Sequence, residues 1–371
     1  MNLFYASFIP GLQRVIAGVL RERLSDIKIH MLLDGAVVFE TETSYDKLNF
    51  FCFNNIFAVI DIMEQDEKSG ALERHIKAVC GSAVNLYQIA NNSKNIRTFR
   101  VVISEENTPV SIDEKFRSLA ERFIIKHSGL KVSRSLPDTE FWFLYRREDK
   151  TNIEGKPLSK DFSIFMKRLT LRPSWEKTLH KGELPPPLAW ILCRLAGLVY
   201  SDTVLDPFCG YGSIPETAMK HFHITKFIAC DNDSEAASYA EKKIKKRKAG
   251  EFILHRSDFF DLPSLIPKKS IDVIITDPPW GNYKKNNSGG FLNKMFDIFS
   301  VLLKDGGACG EVSRVRAVVL YANEESFLNA IHAEFEVKES IPILLSGKKA
   351  VIYVLKKACA QAHRDREIGL I

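Results

Sequence analysis

The residues best suited to binding or catalysis lie around a glycine-rich turn. A buried strand is predicted at Val204–Asp206 and a helix at Pro215–His221; between them stand Pro207, Phe208, Cys209, Gly210, Tyr211, Gly212 and Ser213. Glycines at the end of a strand let the backbone approach a ligand closely. The turn is not a G-x-G-x-x-G motif, because Pro215 occupies the third glycine position, and no Gly-Lys-Ser/Thr follows to make a P-loop.

The spacing D-x-F-x-G-x-G, from Asp206 to Gly212, resembles the first motif of S-adenosylmethionine (SAM)-dependent methyltransferases. In that family the acidic residue holds the amino-acid end of SAM, and the glycines pass beneath its sugar and methionine. Asp231 and Asn232 end the next strand, and Asp231 lies 21 residues after Gly210, where a carboxylate can take both ribose hydroxyls. Asp258 and Phe259 follow the third strand, with the chemistry to meet adenine by a hydrogen bond and by packing. Each acid alone is equally well explained as a helix cap or turn residue, but their succession favours the cofactor site.

A second motif follows the fourth predicted strand, Ile271–Thr276, and consists of Asp277, Pro278, Pro279 and Trp280. A strand cannot continue through two prolines, so the chain must turn at the carboxyl edge of the sheet, where open α/β folds bind ligands. A simple loop stopper would need the prolines but neither the acid nor the aromatic residue. The motif resembles that of amino methyltransferases acting on exocyclic base nitrogens.

That resemblance implies roles for Asp277, Pro278 and Trp280. The Asp277 carboxylate and the Pro278 carbonyl would each accept one N–H of a poorly nucleophilic amine, which positions it for in-line methyl transfer. Trp280 would stack on a base extruded from its helix. SAM is the implied cofactor, and no metal is needed.

The elements that must position these residues alternate strictly from Leu184 onward. Apolar, β-branched runs separated by helical stretches predict a doubly wound parallel sheet, with two closing strands at Phe335–Lys356 completing seven strands. The first 64 residues predict a β-α-β-β-α-β ferredoxin-like unit, whose second helix includes Asn49–Phe53. Strands at Thr98–Ser104 and Glu140–Arg147 flank a predicted helix at Ile112–Lys126.

Residues 120–172 contain twelve basic and seven acidic residues, most of the chain's net charge of +6. A solvated surface and a phosphate-binding face explain this surplus equally well. The candidate RNA contacts around this segment are Arg100, Arg134, Arg146, Arg147, Lys167 and Arg168.

Together, the ferredoxin-like start, the basic segment and the motifs DPFCGYGSI and DPPWG resemble the THUMP-domain RNA guanine-N2 methyltransferases, especially those acting on tRNA. The resemblance implies an α/β chain with a ferredoxin-like domain (1–64), a THUMP-like RNA-binding domain (65–169), a linker (170–186), a Rossmann-like SAM methyltransferase domain (187–358) and a C-terminal tail (359–371). Tyr211 stands where the family usually has a small residue, and Trp280 where it often has Tyr or Phe. Because Trp280 also occurs in adenine-N6 enzymes, the target base stays open.

Three alternatives are therefore retained: an adenine-N6 methyltransferase of RNA or DNA, a guanine-N2 methyltransferase of ribosomal RNA, and a non-catalytic RNA-binding subunit. The intact acids and glycines of both motifs argue against the last. Composition is near globular averages, with 45% hydrophobic and 26% charged residues, and no apolar run is long enough to span a membrane. Seven cysteines without a C-x-x-C pair disfavour a disulfide framework, and the N-terminus lacks a signal-peptide pattern, so we expect a cytoplasmic protein.

Overall fold

The chain folds into two units, residues 1–173 and 174–371. The computed structural model describes residues 1–44, 47–48, 50–82, 86, 96–106, 108–147, 161–170, 179–245, 250–280, 288–305 and 315–358. The predicted tail at 359–371 and part of the predicted linker at 170–186 therefore lie outside the described residues.

The first unit is built on one mixed sheet. Its described strands run in the order β2-β3-β1-β4-β9-β8-β5-β6, and β7 also pairs with β5. Along the chain its elements are β1 (Asn2–Ser7), α1 (Gln13–Arg23), β2 (Lys28–Leu33), β3 (Ala36–Thr41), β4 (Asn55–Gln65), α2 (Ala71–Gly81), β5 (Thr98–Glu105), β6 (Thr108–Pro109), α3 (Glu114–Ser128), β7 (Lys131–Val132), β8 (Thr139–Arg146) and β9 (Asp161–Arg168). As predicted, β5 and β8 flank a helix, and they pair in parallel.

The second helix of the predicted ferredoxin-like order is wrong for residues 50–53, and Asn49 lies outside the described residues. Residues 50–54 contain bends and no helix, and the buried side chains of Phe50, Cys52 and Phe53 fill the core instead. Three buried side chains within four residues leave no exposed helical face, and the Asn54 backbone N–H instead donates to the Ser7 carbonyl at 2.7 Å. The loop thus leads directly into β4.

The sequence pattern does not predict β9, although this strand joins the two halves of the sheet. β9 pairs antiparallel with β4 on one side and with β8 on the other. The predicted boundary at residue 64 falls inside β4, which pairs with β9 through Gln65. A division of the first unit into ferredoxin-like and THUMP-like parts is therefore a proposal about its composition, since one sheet runs through both.

The second unit has the predicted doubly wound sheet. Its seven described strands run in the order β12-β11-β10-β13-β14-β16-β15; the first five are parallel, and β16 and β15 add antiparallel. The elements are α4 (Pro186–Leu195), β10 (Thr203–Asp206), α5 (Ser213–His221), β11 (Lys226–Cys230), α6 (Ser234–Lys245), β12 (Glu251–His255), a 3-10 turn (Phe259–Asp261), α7 (Leu262–Leu265), β13 (Val273–Thr276), α8 (Ser288–Leu302), β14 (Arg316–Tyr321), α9 (Glu324–Ala330), β15 (Phe335–Leu345) and β16 (Lys348–Lys357). The predicted Rossmann-like fold is confirmed.

The burial of the central strands determines where polar side chains lie in this sheet. All four residues of β13 are buried, as expected for a parallel strand covered on both faces. Polar side chains are therefore confined to the strand ends. Among the described residues no helix is both long and apolar enough to cross a membrane. Five described cysteines are free, and four of them are buried.

Candidate active site

The carboxyl ends of β10, β11 and β13 bring the predicted acids to one edge. β10 lies between β11 and β13, and all three run in parallel. The Thr276 hydroxyl at the end of β13 donates to Asp206 Oδ1 at 3.0 Å. Asp206 and Asp277 therefore end neighbouring strands and line the same pocket.

Asp206 is 1% exposed, and its Oδ1 also accepts the Phe208 backbone N–H at 3.2 Å. Burial raises the pKa of Asp206 to about 8, and the nearby charges of Asp231 and Asp277 act in the same direction. Among the described residues it has no cationic partner. A buried carboxylate without a counter-ion is suited to receive a cationic ligand group.

Asp231 organises the glycine turn. Its Oδ2 accepts the Gly210 N–H at 2.7 Å, and its Oδ1 accepts the Asp233 N–H at 2.9 Å. Gly212 has φ +82°, and a Cβ there would lie 2.8 Å from the Ala240 Cβ, so only glycine permits this approach of the turn to α6. Carboxylate oxygens have several lone-pair sites, so Asp231 keeps acceptor capacity while it holds the turn.

Asp277 is the least satisfied polar group at this edge. Its Oδ1 is buried and has no hydrogen-bond partner among the described residues. Burial raises the pKa of Asp277 to about 7, and the nearby Trp280 indole N–H acts in the opposite direction. Trp280 is partly buried against the core of the second unit, and its Nε1 is likewise without a partner in the described part of the chain. Pro278 is buried and Pro279 is partly exposed.

The pocket combines predicted and unpredicted residues. From the predicted set it includes Asp206, Phe208, Gly210 and Asp277. It adds residues from the segment before α4, from the glycine turn and from the start of α5, namely Gly182, Glu183, Leu184, Cys209, Tyr211, Ser213 and Ile214. Sequence reasoning missed Glu183, because its segment carries no motif and only the folded chain brings it beside the turn.

The predicted adenine contacts, Asp258 and Phe259, differ in exposure. Asp258 is partly exposed at the end of β12, and its Oδ2 accepts from Asn232 Nδ2 at 3.5 Å, which links two strand ends. Phe259 is 4% exposed, and its ring packs on Phe208 with centroids 4.8 Å apart. Phe259 therefore supports Phe208 from the core, and the neighbouring Phe260, 41% exposed, offers the accessible ring.

The candidate RNA contacts of the first unit need correction. Lys167 and Arg146 are buried, and burial lowers the pKa of Lys167 to about 8. Arg146 donates to the Tyr5 hydroxyl at 3.2 Å. Arg146 lies in β8 and Lys167 in β9, two central strands of the sheet. Neither side chain can contact a phosphate without leaving the core.

The other four candidates divide by exposure. Arg100 and Arg168 both pair with Glu140, and Arg168 is mostly buried. Arg134 is 60% exposed but lies 3.1 Å from Glu121 and 2.8 Å from Glu114. Arg147 is exposed. Arg134 and Arg147 thus keep the surface position that phosphate contact requires.

Residues 173–342 match the UPF0020 family model, described as an RMKL-like methyltransferase domain. This segment is therefore similar to a methyltransferase domain. It contains the pocket-lining residues at the strand ends, including Asp206 and Asp277. The match supports the predicted class of enzyme, a methyltransferase.

Two curated proteins resemble this chain in sequence. The tRNA (guanine(10)-N2)-dimethyltransferase of Methanocaldococcus jannaschii is 30% identical over 160 residues, which cover 40% of this chain and 42% of that protein. The U6 snRNA (guanine-N(2))-methyltransferase THUMPD2 of Bos taurus is 30% identical over 185 residues, or 50% of this chain and 34% of that protein. The chain thus spans less than half the length of either relative. Their names confirm the predicted resemblance to RNA guanine-N2 methyltransferases.

A solved structure supports the fold over nearly the whole chain. TrmN from Thermus thermophilus superposes with a TM-score of 0.74 at 18% identity, covering 96% of this chain and 100% of that one. At this identity the likeness establishes the fold. In the described part of the chain, no cluster of three or more His, Cys, Asp or Glu side chains could hold a metal ion.

Proposed function

We propose that the protein transfers a methyl group from SAM to the exocyclic N2 amine of a guanosine in tRNA. The observation that carries the proposal is the buried Oδ1 of Asp277, which has no hydrogen-bond partner in the described part of the chain and lies in a pocket shared with Asp206. The methyltransferase domain and the guanine-N2 activities named for both relatives support it. One relative is named for tRNA and the other for U6 snRNA. Both names therefore support an RNA substrate, and one of them supports tRNA in particular.

The described residues fit the implied cofactor. Asp206 is a buried acceptor with no cationic partner among the residues that the structure describes, and it would hold the ammonium of the amino-acid end. Gly210 and Gly212 would allow backbone approach, and Asp231 would take the ribose hydroxyls. Asp258 would bond the adenine, beside the exposed Phe260 ring. SAM supplies an electrophilic methyl group, so the protein's task is to hold and orient the amine.

Asp277 would do this by accepting one N–H of the target amine, and the Pro278 carbonyl would accept the other. An acid whose pKa lies near 7 can also take up the proton that the amine loses. Trp280 would stack on the base that has left its helix. In the first unit, exposed basic residues such as Arg147 would contact RNA phosphates. A cytoplasmic location belongs to the same proposal.

The test is to incubate the purified chain with tRNA and isotopically labelled SAM, digest the RNA, and identify the labelled nucleoside by mass spectrometry. We expect N2-methylguanosine or its dimethylated form, absent with Asp277→Ala. Label on adenine N6 would replace the proposal with the adenine-N6 alternative, with which Trp280 is also compatible. Label only in ribosomal RNA would change the substrate, and SAM binding without any product would support the non-catalytic alternative.

A further inference from the structure

One wall of the pocket is a short segment, Gly182–Leu184, held by a buried carboxylate. Glu183 is 4% exposed at its side chain, and its Oε1 accepts from Lys243 Nζ at 3.0 Å and from Ser213 Oγ at 3.3 Å. Its Oε2 accepts the His180 backbone N–H at 3.1 Å. The Ser213 hydroxyl also lies 3.0 Å from the Leu184 carbonyl. The wall is thus tied to the start of α5, directly after the glycine turn.

Lys243 supplies the charge that makes this arrangement stable. Its Nζ lies 3.0 Å from Glu183 and 2.9 Å from Glu216 on α5, and its side chain is 25% exposed. Burial opposes the charged form of Lys243, but its contacts with Glu216 and Glu183 outweigh burial and raise its pKa. One ammonium group therefore links the pocket wall, α5 and α6.

Aromatic packing reinforces the same junction. The Tyr211 ring, in the glycine turn, stacks on His180 with centroids 4.0 Å apart and planes at 7°. Tyr239 meets both rings edge-on, at 5.7 Å from Tyr211 and 4.6 Å from His180. Tyr239 precedes Lys243 by one helical turn of α6, so the ion pair and the ring stack fix the wall from the same helix.

The sequence from Lys242 to Lys245 is basic enough to suggest phosphate contact, but the structure separates Lys243 from Lys245. Lys245 is 71% exposed, and among the described residues its ion pair is with Glu241 on the same helix. Lys243 is instead turned toward two carboxylates beside the pocket. Losing its charge would leave Glu183 buried without its cation, next to a pocket that already contains Asp206 and Asp277.

We propose that Lys243 is a positioning residue for the cofactor pocket, acting through Glu183 to hold the Gly182–Leu184 wall against the glycine turn. This inference rests on the proposed function, because it assumes that the pocket binds SAM. It predicts an effect on the cofactor and none on RNA affinity.

The experiment compares Lys243→Met, Lys243→Arg and the matched control Lys245→Met in the full chain. Isothermal titration with S-adenosylhomocysteine should show about a tenfold weaker Kd for Lys243→Met, substantial recovery in Lys243→Arg, and an unchanged Kd in Lys245→Met. The KM for SAM should rise by a similar factor while kcat falls less than threefold. The tRNA Kd of Lys243→Met should stay within twofold of the parent value.

The outcomes separate this inference from the proposed function. If the parent protein does not bind the ligand, the proposed cofactor site fails. If the parent binds and Lys243→Met binds equally well, or if Lys245→Met loses as much affinity, the positioning role is overturned. A loss of tRNA affinity alone would make Lys243 a phosphate contact. Should Lys243→Met unfold, the double variant Lys243→Met/Glu183→Gln removes both charges and should fold with weakened ligand binding; unchanged binding there would also overturn the inference.

Discussion

Glu140 in the first unit and the pair Asp206 and Asp277 in the second show two different uses of a buried charge. In the first, Glu140 is 5% exposed and is met by Arg100, by Arg168 at 3.1 Å and by the Trp142 N–H at 2.9 Å. Burial alone would raise the pKa of Glu140, but these partners outweigh burial and lower it. In the second, burial raises the pKa of Asp206 and Asp277, and neither has a cation among the described residues. Paired buried charge marks structure, whereas unpaired buried charge marks a ligand site.

Asp277→Ala is the substitution from which we expect the largest effect. We expect turnover to fall about a thousandfold, because the carboxylate acts on the target amine only when base and cofactor are both in place. Single-turnover kinetics should show the loss. The Kd values of the variant for S-adenosylhomocysteine and tRNA should stay within about twofold of the parent values. A variant that turns over at the parent rate would overturn the mechanism.

The corresponding change in the first unit is Glu140→Ala. It leaves two arginines facing a buried position without their acid, so the free energy of unfolding should fall by about 3 kcal/mol. Urea denaturation measures the change, and cofactor affinity serves as the internal control because Glu140 lies in the other unit. A loss below about 1 kcal/mol would mean that the pairing contributes little to stability.

Asp206→Asn tests the reverse expectation, a gain in stability with a loss of binding. The pKa of Asp206 is raised from 3.8 to about 8, so between these values the folded state holds a proton that the unfolded state has released. The contribution of Asp206 to stability therefore falls as pH rises from about 4 to about 8, and an amide does not titrate.

We expect the unliganded variant to be more stable than the parent by about 1 to 2 kcal/mol at pH 8, with a smaller difference at pH 5. Its affinity for S-adenosylhomocysteine should fall about tenfold. Urea unfolding at both pH values and calorimetric titration measure the two effects. A variant less stable than the parent at pH 8 would show that Asp206 is satisfied in the unliganded fold.

The smallest expected effect separates exposed from buried basic residues of the first unit. Arg147→Ala should weaken tRNA binding about two- to fivefold and make the dependence of affinity on salt shallower, because an exposed guanidinium can meet a phosphate. Lys167→Met should leave both quantities unchanged at matched folding, since this lysine is buried. Filter binding at several salt concentrations measures both. Equal losses in the two variants would contradict the assignment from burial.

The second unit was predictable because its signals are local. The apolar run of β13, the two prolines after Asp277 and the glycines after Asp206 each dictate a strand end or a turn without help from distant residues. Parallel strands then place their carboxyl ends at one edge. The fold of this unit and the meeting of Asp206 with Asp277 follow from those local rules.

The first unit was less predictable because its signals are distributed. β9 contains Lys167 and follows a polar stretch, so its sequence resembles a basic surface segment, yet the strand is buried between β4 and β8. The wrong helix prediction at residues 50–53 has the same cause, since the core that these residues fill determines where they lie. For β9 the deciding partner includes β4, whose residues pair with it from about 100 residues earlier in the chain.

The sequence by itself determined the residue types that end each strand of the second unit, and with them the chemistry of the pocket. Tertiary structure decided which side chains reach that pocket: it buried Phe259 behind Phe208, exposed Phe260, and brought Glu183 and Lys243 together from segments 60 residues apart. The physical reason is that a turn or a strand end follows from local backbone constraints. Burial and ion pairing depend instead on neighbours that only the folded chain supplies.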